Sequence, residues 1–374
     1  PENMRLATLF VFFFNSVIGE NVMFPLSSYV RRAQGRPRRR RRSKKSCLVI
    51  VSEKDYEDRR DEDQPLECVL QGADLNGTRY KKVRLRGLTS RWAQENRIAS
   101  GQSTIFSPTA EIDDSAGELI ISSGGTIELG NATDAAAGNF PGVATRGVDP
   151  TDFFWSRRLR TGTKRVLVLR AVASDRSTTA SEAELSDDIF GTSGDVINLK
   201  TQYRSCSDNQ LIFEPLTTNS RVGTDGVYTV SIPSTVVAGA DDGDIVDSMI
   251  AKATADLGSL TSLVDYVMVC VPPGTSGGWI AYAYINYWLS VYNDNWCRYP
   301  SGQLHEIGHN LNLGHSGEGT VEYGDQSGMM GYSYSSDEGP IMCFNGAKTW
   351  QLGWYSSFHV DLPIGTSYVW SGNL

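Results

Sequence analysis

The sequence predicts an α/β fold, with a mixed twisted sheet and one chemically loaded helix in the C-terminal half and a smaller β-rich region ahead of it. Two observations carry this. From residue 163 onward, aliphatic and β-branched runs alternate with stretches of helical spacing, the order that builds a sheet covered by helices. From Cys47 to about Gly130 the runs are short and strand-like.

The elements follow in order. Met4 and Arg5 precede LATLFVFFFNSVIG, a positive start and an apolar run too short for a relaxed membrane span. This predicts a signal peptide over residues 1–20, a secreted protein, and no stable membrane span after cleavage. An uncleaved anchor, or extra N-terminal residues, is the alternative. Residues 21–45 are expected to be a basic disordered segment, because positions 31–45 hold ten Lys or Arg and no acid. Behind a secretory signal, such a run reads as a processing site or a solvated tail. From Val166 to Leu374 there are 8 Lys or Arg against 23 Asp or Glu, a balance that repels phosphates and argues against a nucleic-acid partner.

Residues 46–130 read as a β-rich prodomain: CLVIVS, ECVLQ, YKKVRLRGL, and ELIISSGGTIEL, where Gly124-Gly125 is expected to turn a hairpin. A Gly, Ala, Asp and Pro-rich linker occupies 131–162, and WSRRLRTGTKR offers basic cleavage sites between Arg157 and Arg165. Six cysteines in a secreted chain predict disulfides. Cys47 and Cys68 are expected to close the N-terminal region, while Cys206, Cys270, Cys297 and Cys343 allow three pairings. A latency switch at Cys68 is the competing reading. Asn76-Gly77-Thr78 and Asn131-Ala132-Thr133 are glycosylation sequons.

The domain over 163–374 begins with strand Val166 to Val172. Ser181 and Glu184 form a capping-box pattern that opens a helix to Phe190. Further helices are expected near Val196 to Ser205 and over Ile245 to Leu257, with strands at Gln210 to Pro215, Gly226 to Ile232 and Val264 to Val271. The aromatic-rich stretch Gly277 to Asn293 is expected to supply an edge strand, with Trp279, Tyr282 and Tyr284 lining a cleft or filling the core. The last segment, VDLPIGTSYVWSGNL, reads as the start of further β structure, so the domain is expected to be C-terminally truncated.

The chemistry concentrates in QLHEIGHNLNLGHS, which sets His305, Glu306, His309 and His315 in the register HExxHxxxxxH and uses three of the four histidines. On a helix starting at about Ser301, His305 and His309 share one face and can grip one ion. His315 can join them only if the chain turns sharply after the helix. Asn312 is the residue suited to a positive φ there. Neutral imidazoles suit zinc, and three protein ligands leave a position for water. Glu306 then has the place of a general base. Gly308, inside the helix, implies close packing. His359 has no partner pattern.

The register, followed by YGDQSGMMGYSY, resembles the metzincin metallopeptidases, whose signature carries Gly where Asn312 stands and is followed by a methionine turn. By that resemblance Met330 forms the floor beneath the metal, and Tyr332 is placed to stabilise an oxyanion. Between Thr163 and Tyr355, the stretches GTKRVLVLRAVASD, VMVCVPPGTSGGWIAYAYINYWLSVYND, WCRYPSGQLHEIGHNLNLGHS and CFNGAKTWQLGWY are similar to the gametolysin family of secreted zinc peptidases. The resemblance implies a metzincin-like catalytic domain that needs Zn2+, made as a zymogen and cleaving extracellular or cell-wall proteins and glycoproteins. The alternative is a catalytically silent, metal-stabilised wall or adhesion protein on the same fold. Retention of Glu306 discriminates against it.

Overall fold

The computed structural model describes residues 46–56, 64–70, 82–131 and 160–358, except 97, 108–109, 114–115, 122–126, 223–224, 237–238 and 332–338. The expected signal peptide, the basic segment, the Asn76 sequon, nearly all of the linker, Tyr332, His359 and the C-terminal β segment lie outside the described residues.

The chain enters through β1 (Ser46–Ile50) and, after Val51 alone, β2 (Ser52–Tyr56). These two strands belong to different sheets. The first sheet continues with β3 (Pro65–Leu70), β4 (Lys82–Thr89), helix α1 (Ser90–Glu95), β5 (Ser103–Phe106), β6 (Glu111–Asp113), β7 (Glu118–Ile120) and β8 (Glu128–Asn131). Its order is β6-β7-β4-β3-β1-β5-β8. Alternate residues of β1 point to opposite faces: Cys47 and Val49 pack into this sheet's own core, Leu48 and Ile50 into that of the next. That double burial explains why CLVIV is apolar at every position.

Gly124-Gly125, where a hairpin is expected, lie outside the described residues, and the strands on either side do not pair with each other. Strand β7 pairs with β6 and β4, whereas β8 crosses to the opposite edge and pairs with β5. A Gly-Gly pair signals that the chain can turn but not which strand it pairs with next, and the pairing here is non-local.

The second sheet is built on β9 (Gly162–Val172), the longest strand. One edge of β9 takes β10 (Leu211–Pro215) along its first half and β11 (Val227–Ser231) along its second, both parallel. The other edge pairs with β12 (Tyr266–Val271), itself parallel to β14 (Leu289–Asn293). Strand β13 (Trp279–Tyr284) is antiparallel to β14, and β2 closes the sheet antiparallel to β13. Val166 and Val168 of β9 face α2 (Glu182–Phe190), α3 (Leu199–Cys206) and the loaded helix, while Leu167 and Leu169 face α4 (Asp242–Leu257). A short helix, α5 (Leu260–Leu263), leads into β12.

Ser181 caps α2 through the capping box with Glu184, and Asn198 caps α3, whose first helical residue, Leu199, comes later than the expected Val196. Lys164 and Arg165 lie inside β9, in register with β10. A cut after Arg165 would sever this strand, and the strand expected from Val166 begins at Gly162. All six cysteines are paired, as Cys47–Cys68, Cys206–Cys343 and Cys270–Cys297. The pairing of Cys68 removes the reading of it as a thiolate switch.

Candidate metal centre

The loaded helix is α6 (Pro300–Asn310), with Pro300 in its first turn and every residue buried. Two amides fix it. Gln303 donates through Nε2 to the carbonyls of Asp188 and Cys297 and accepts from the Leu199 N–H, tying α6 to α2 and to the start of α3. Asn310 donates to the carbonyls of Tyr284 and Leu289, tying the other end to the β13–β14 hairpin. The Tyr203 hydroxyl donates to the Leu304 carbonyl.

Beyond α6 the chain reverses at Asn312, which takes φ 79°. Its N–H bonds the His309 carbonyl, and the Leu313 N–H bonds that of Gly308. The left-handed residue carries His315 back to the helical pair. Ring centroids are 4.9 Å apart for His305 and His309, 4.8 Å for His309 and His315, and 5.2 Å for His305 and His315.

Each ring is oriented by an acceptor on its Nδ1. His305 donates to the Met329 carbonyl at 2.7 Å, His309 to the Leu313 carbonyl at 2.8 Å, and His315 to the Glu322 carboxylate at 2.5 Å. With Nδ1 donating, Nε2 is the nitrogen that each ring in its neutral form offers to a metal. A short 3-10 turn, Met329–Gly331, packs against α6. Met330 is fully buried, and a Cβ on Gly308 would come within 2.5 Å of its sulfur, which accounts for glycine inside the helix. The Met330 carbonyl also accepts from the Ser316 N–H.

A fourth donor was not expected from the sequence. Asp55, on β2, is 4% exposed and sits among the three rings. Its Oδ2 is 3.2 Å from His305 Nε2 and its Oδ1 is 3.4 Å from His315 Nε2, while the Nε2 atoms of His309 and His315 are 3.1 Å apart. Donors on a tetrahedral zinc with bonds of about 2.0–2.1 Å stand roughly 3.3 Å from one another. The donor set and its spacing therefore fit a zinc-sized ion. The Tyr323 hydroxyl donates to Asp55 Oδ1 at 2.5 Å, and its ring lies 4.3 Å from that of His315. Sequence reasoning assigned the phenol role to Tyr332, which lies outside the described residues. The phenol at the described site is Tyr323.

The electrostatics call for positive charge here. Burial alone would depress His315, but hydrogen bonds with Asp55 and Glu322 outweigh it and raise its pKa to about 10. Burial, with the other two rings, drives His309 well below the usual imidazole range. Burial raises the Glu306 carboxyl well above the carboxylate range, and the Asp55 charge adds to this. Burial also raises the Tyr323 hydroxyl, which stays a donor. A proton on His315 and a divalent cation answer the same negative field, so cation binding must release protons.

Trp279, Tyr282 and Tyr284 of β13 are buried, and the Lys54 ammonium of β2 lies 5.3 Å from the Trp279 ring and 4.9 Å from the Tyr282 ring. The expected edge strand is therefore covered by β2.

Three inward imidazoles, a buried carboxyl beside them and a buried methionine packed against α6 define a candidate metal centre in a mixed α/β protein. The sequence profile of the gametolysin peptidase M11 family matches residues 165–362, more than half of the chain. The chain belongs to that family. It is also 33% identical over 89 residues to autolysin of Chlamydomonas reinhardtii, a match covering 22% of this chain and 14% of autolysin. The chain thus aligns with only a small part of that curated relative.

Proposed function

We propose that the chain is a secreted zinc-dependent endopeptidase with a metzincin-like catalytic domain, made as a zymogen whose prodomain is residues 46–130. The observation that carries the reading is the convergence of three Nε2 atoms, each with its Nδ1 proton engaged, beside the buried Glu306. His305, His309 and His315 would hold the ion. Bound zinc lowers the pKa of water and polarises a carbonyl oxygen.

Glu306 takes the proton of the attacking water and passes it to the leaving amine, a role suited to a carboxyl whose burial lifts its proton affinity. The substrate backbone lies along β13, whose pairing edge fixes an extended peptide by main-chain hydrogen bonds. Tyr323, and Tyr332 by the resemblance, would donate to the developing oxyanion. Extracellular or cell-wall proteins and glycoproteins are the proposed substrates, with no nucleic-acid partner. Among the described residues no helix is long and apolar enough to cross a membrane, and this is compatible with secretion. Arg157-Arg158 is the proposed processing site, since Arg160 is engaged on both backbone and guanidinium: its N–H bonds the Leu352 carbonyl and its Nη2 bonds Asn286.

A second reading has one observation behind it. With Asp55 in place the centre has four protein donors, as structural zinc sites do, which suits a silent metal-stabilised wall or adhesion protein. Hydrolysis of an unfolded generic protein by the processed chain separates the two. Cleavage that is abolished by a chelator, restored by zinc and lost in Glu306→Gln supports the peptidase. Folded, zinc-loaded, processed protein that cleaves nothing supports the silent protein.

A further inference from the structure

We infer that strand β2 is a built-in inhibitor, with Asp55 closing the metal's fourth coordination position and the strand covering the edge where a peptide would pair. The inference rests on the zinc-peptidase reading and specifies how latency is enforced.

The topology is the first observation. After Val51 the chain leaves the N-terminal sheet, and five residues cross to the other sheet as the antiparallel neighbour of β13. Without β2, strand β13 would end the path and present unpaired backbone groups, the template on which extended peptides add. Asp55 is in register with Ala281, Lys54 with Tyr282 and Glu53 with Ala283. The N-terminal region thus occupies the site as a peptide of this chain.

Composition is the second. The strand reads SEKDY, with polar or charged residues at Ser52 to Asp55, although its neighbour β13 is buried throughout. A strand added for packing alone would be apolar on its covered face. Instead, its buried carboxylate points at three imidazoles, and Lys54 bridges to Asp242 at 3.0 Å while lying over the Trp279 and Tyr282 rings. The separations of 3.2 Å from Asp55 Oδ2 to His305 and 3.4 Å from Oδ1 to His315 are close to the 3.1 Å between two of the ring nitrogens, so the carboxylate stands at donor spacing from them. A carboxylate there takes the position a catalytic site keeps for water.

Anchoring is the third. The strand cannot drift from the site, because the N-terminal sheet to which the chain ties it is fixed to the β13–β14 hairpin. The Ile285 N–H bonds the Val51 carbonyl, Asn286 Nδ2 bonds the Ser100 carbonyl, and Lys82 bonds the Tyr284 hydroxyl at 3.0 Å. The Cys47–Cys68 disulfide fastens β1, one residue upstream, to β3. Release therefore requires loss of the N-terminal sheet as a unit, and a cut in the linker alone leaves β2 seated.

The test loads the full-length, uncleaved chain with cobalt(II) and records its visible absorption beside that of the processed chain, for wild type, Asp55→Ala and Asp55→Asn. Both variants are expected to shift the uncleaved spectrum to that of the processed protein and to lose metal to a chelator about tenfold faster, while protein cleavage by the uncleaved chain stays low because β2 still covers β13. A synthetic peptide of residues 51–56, VSEKDY, is expected to inhibit the processed enzyme, with its Asp→Asn form about tenfold weaker; this arm does not depend on the variants folding. Cobalt bound with an unchanged spectrum in both variants, or equal potency of the two peptides, overturns the latch alone. Uncleaved variants that hydrolyse protein as fast as the processed chain leave β2 no covering role and also overturn the inference. Failure of full-length and processed proteins alike to bind cobalt overturns the metal centre itself.

Discussion

Replacing Asn312 by alanine isolates the turn on which the third histidine depends. The residue sits at φ 79°, and its backbone is engaged on both sides: its N–H with the His309 carbonyl and its carbonyl with Gln351 Nε2. Neither bond uses the side chain, so both survive the substitution. What changes is the intrinsic cost of the left-handed region, about 1–2 kcal/mol for an ordinary L residue and less for asparagine. The net penalty is about 1 kcal/mol, equivalent to roughly a fivefold change in an equilibrium constant. If the turn relaxes in the metal-free protein, binding must restore it and zinc affinity falls by up to about fivefold. If the fold holds the turn, the same 1 kcal/mol or so appears as lost unfolding free energy. Zinc affinity by competition with a chromophoric chelator and stability by urea unfolding, measured on one preparation, capture both. Asn312→Gly should stay within about 0.5 kcal/mol of wild type in each. An alanine variant indistinguishable from wild type in both measurements would refute the placement of His315 by this turn.

Other outcomes follow from neighbouring residues. Glu322→Gln leaves an acceptor near His315 Nδ1 but removes its charge, and zinc affinity should fall about 10-fold to 100-fold by competition titration. Gly308→Ala gains about 1 kcal/mol of helix propensity but drives a Cβ to 2.5 Å from the fully buried Met330 sulfur. Overpacking costs about 1–3 kcal/mol, so the net effect should be destabilising in thermal and urea unfolding. Lys348 is lowered by burial from 10.5 to about 8. The folded state therefore binds fewer protons than the unfolded chain between those values, and stability from this group rises with pH across that window and is flat outside it. Relative to Lys348→Met, wild type should gain up to about 3 kcal/mol between pH 8 and 10.5 in urea unfolding.

What was readable in the sequence was local. Ser181 and Glu184 announce their capping box because both partners lie within one turn, and His305 and His309 declare a shared face through the helical period. Asn312 could be singled out because few residues tolerate a positive φ. Glu322 was within reach, since an imidazole ligand commonly donates its Nδ1 proton to a carboxylate and this one lies seven residues past His315. Asp55 was not, because no spacing rule joins it to histidines some 250 residues away and only the pairing of β2 with β13 brings it there. The same non-local pairing separates the strands flanking Gly124-Gly125, since a Gly-Gly pair carries no information about which strand each one joins. Tyr323 carries no such signal, because the resemblance places the phenol two residues after Met330, at Tyr332.

Zinc X-ray absorption of the uncleaved protein tests the centre most directly. One zinc per chain with four nitrogen or oxygen donors at about 2.0–2.1 Å and outer-shell scattering from three imidazoles, falling to two in His315→Ala, is the expected result. Folded protein that binds no zinc, or zinc whose outer shell is unchanged in His315→Ala, would contradict the assignment of His305, His309 and His315 as its ligands.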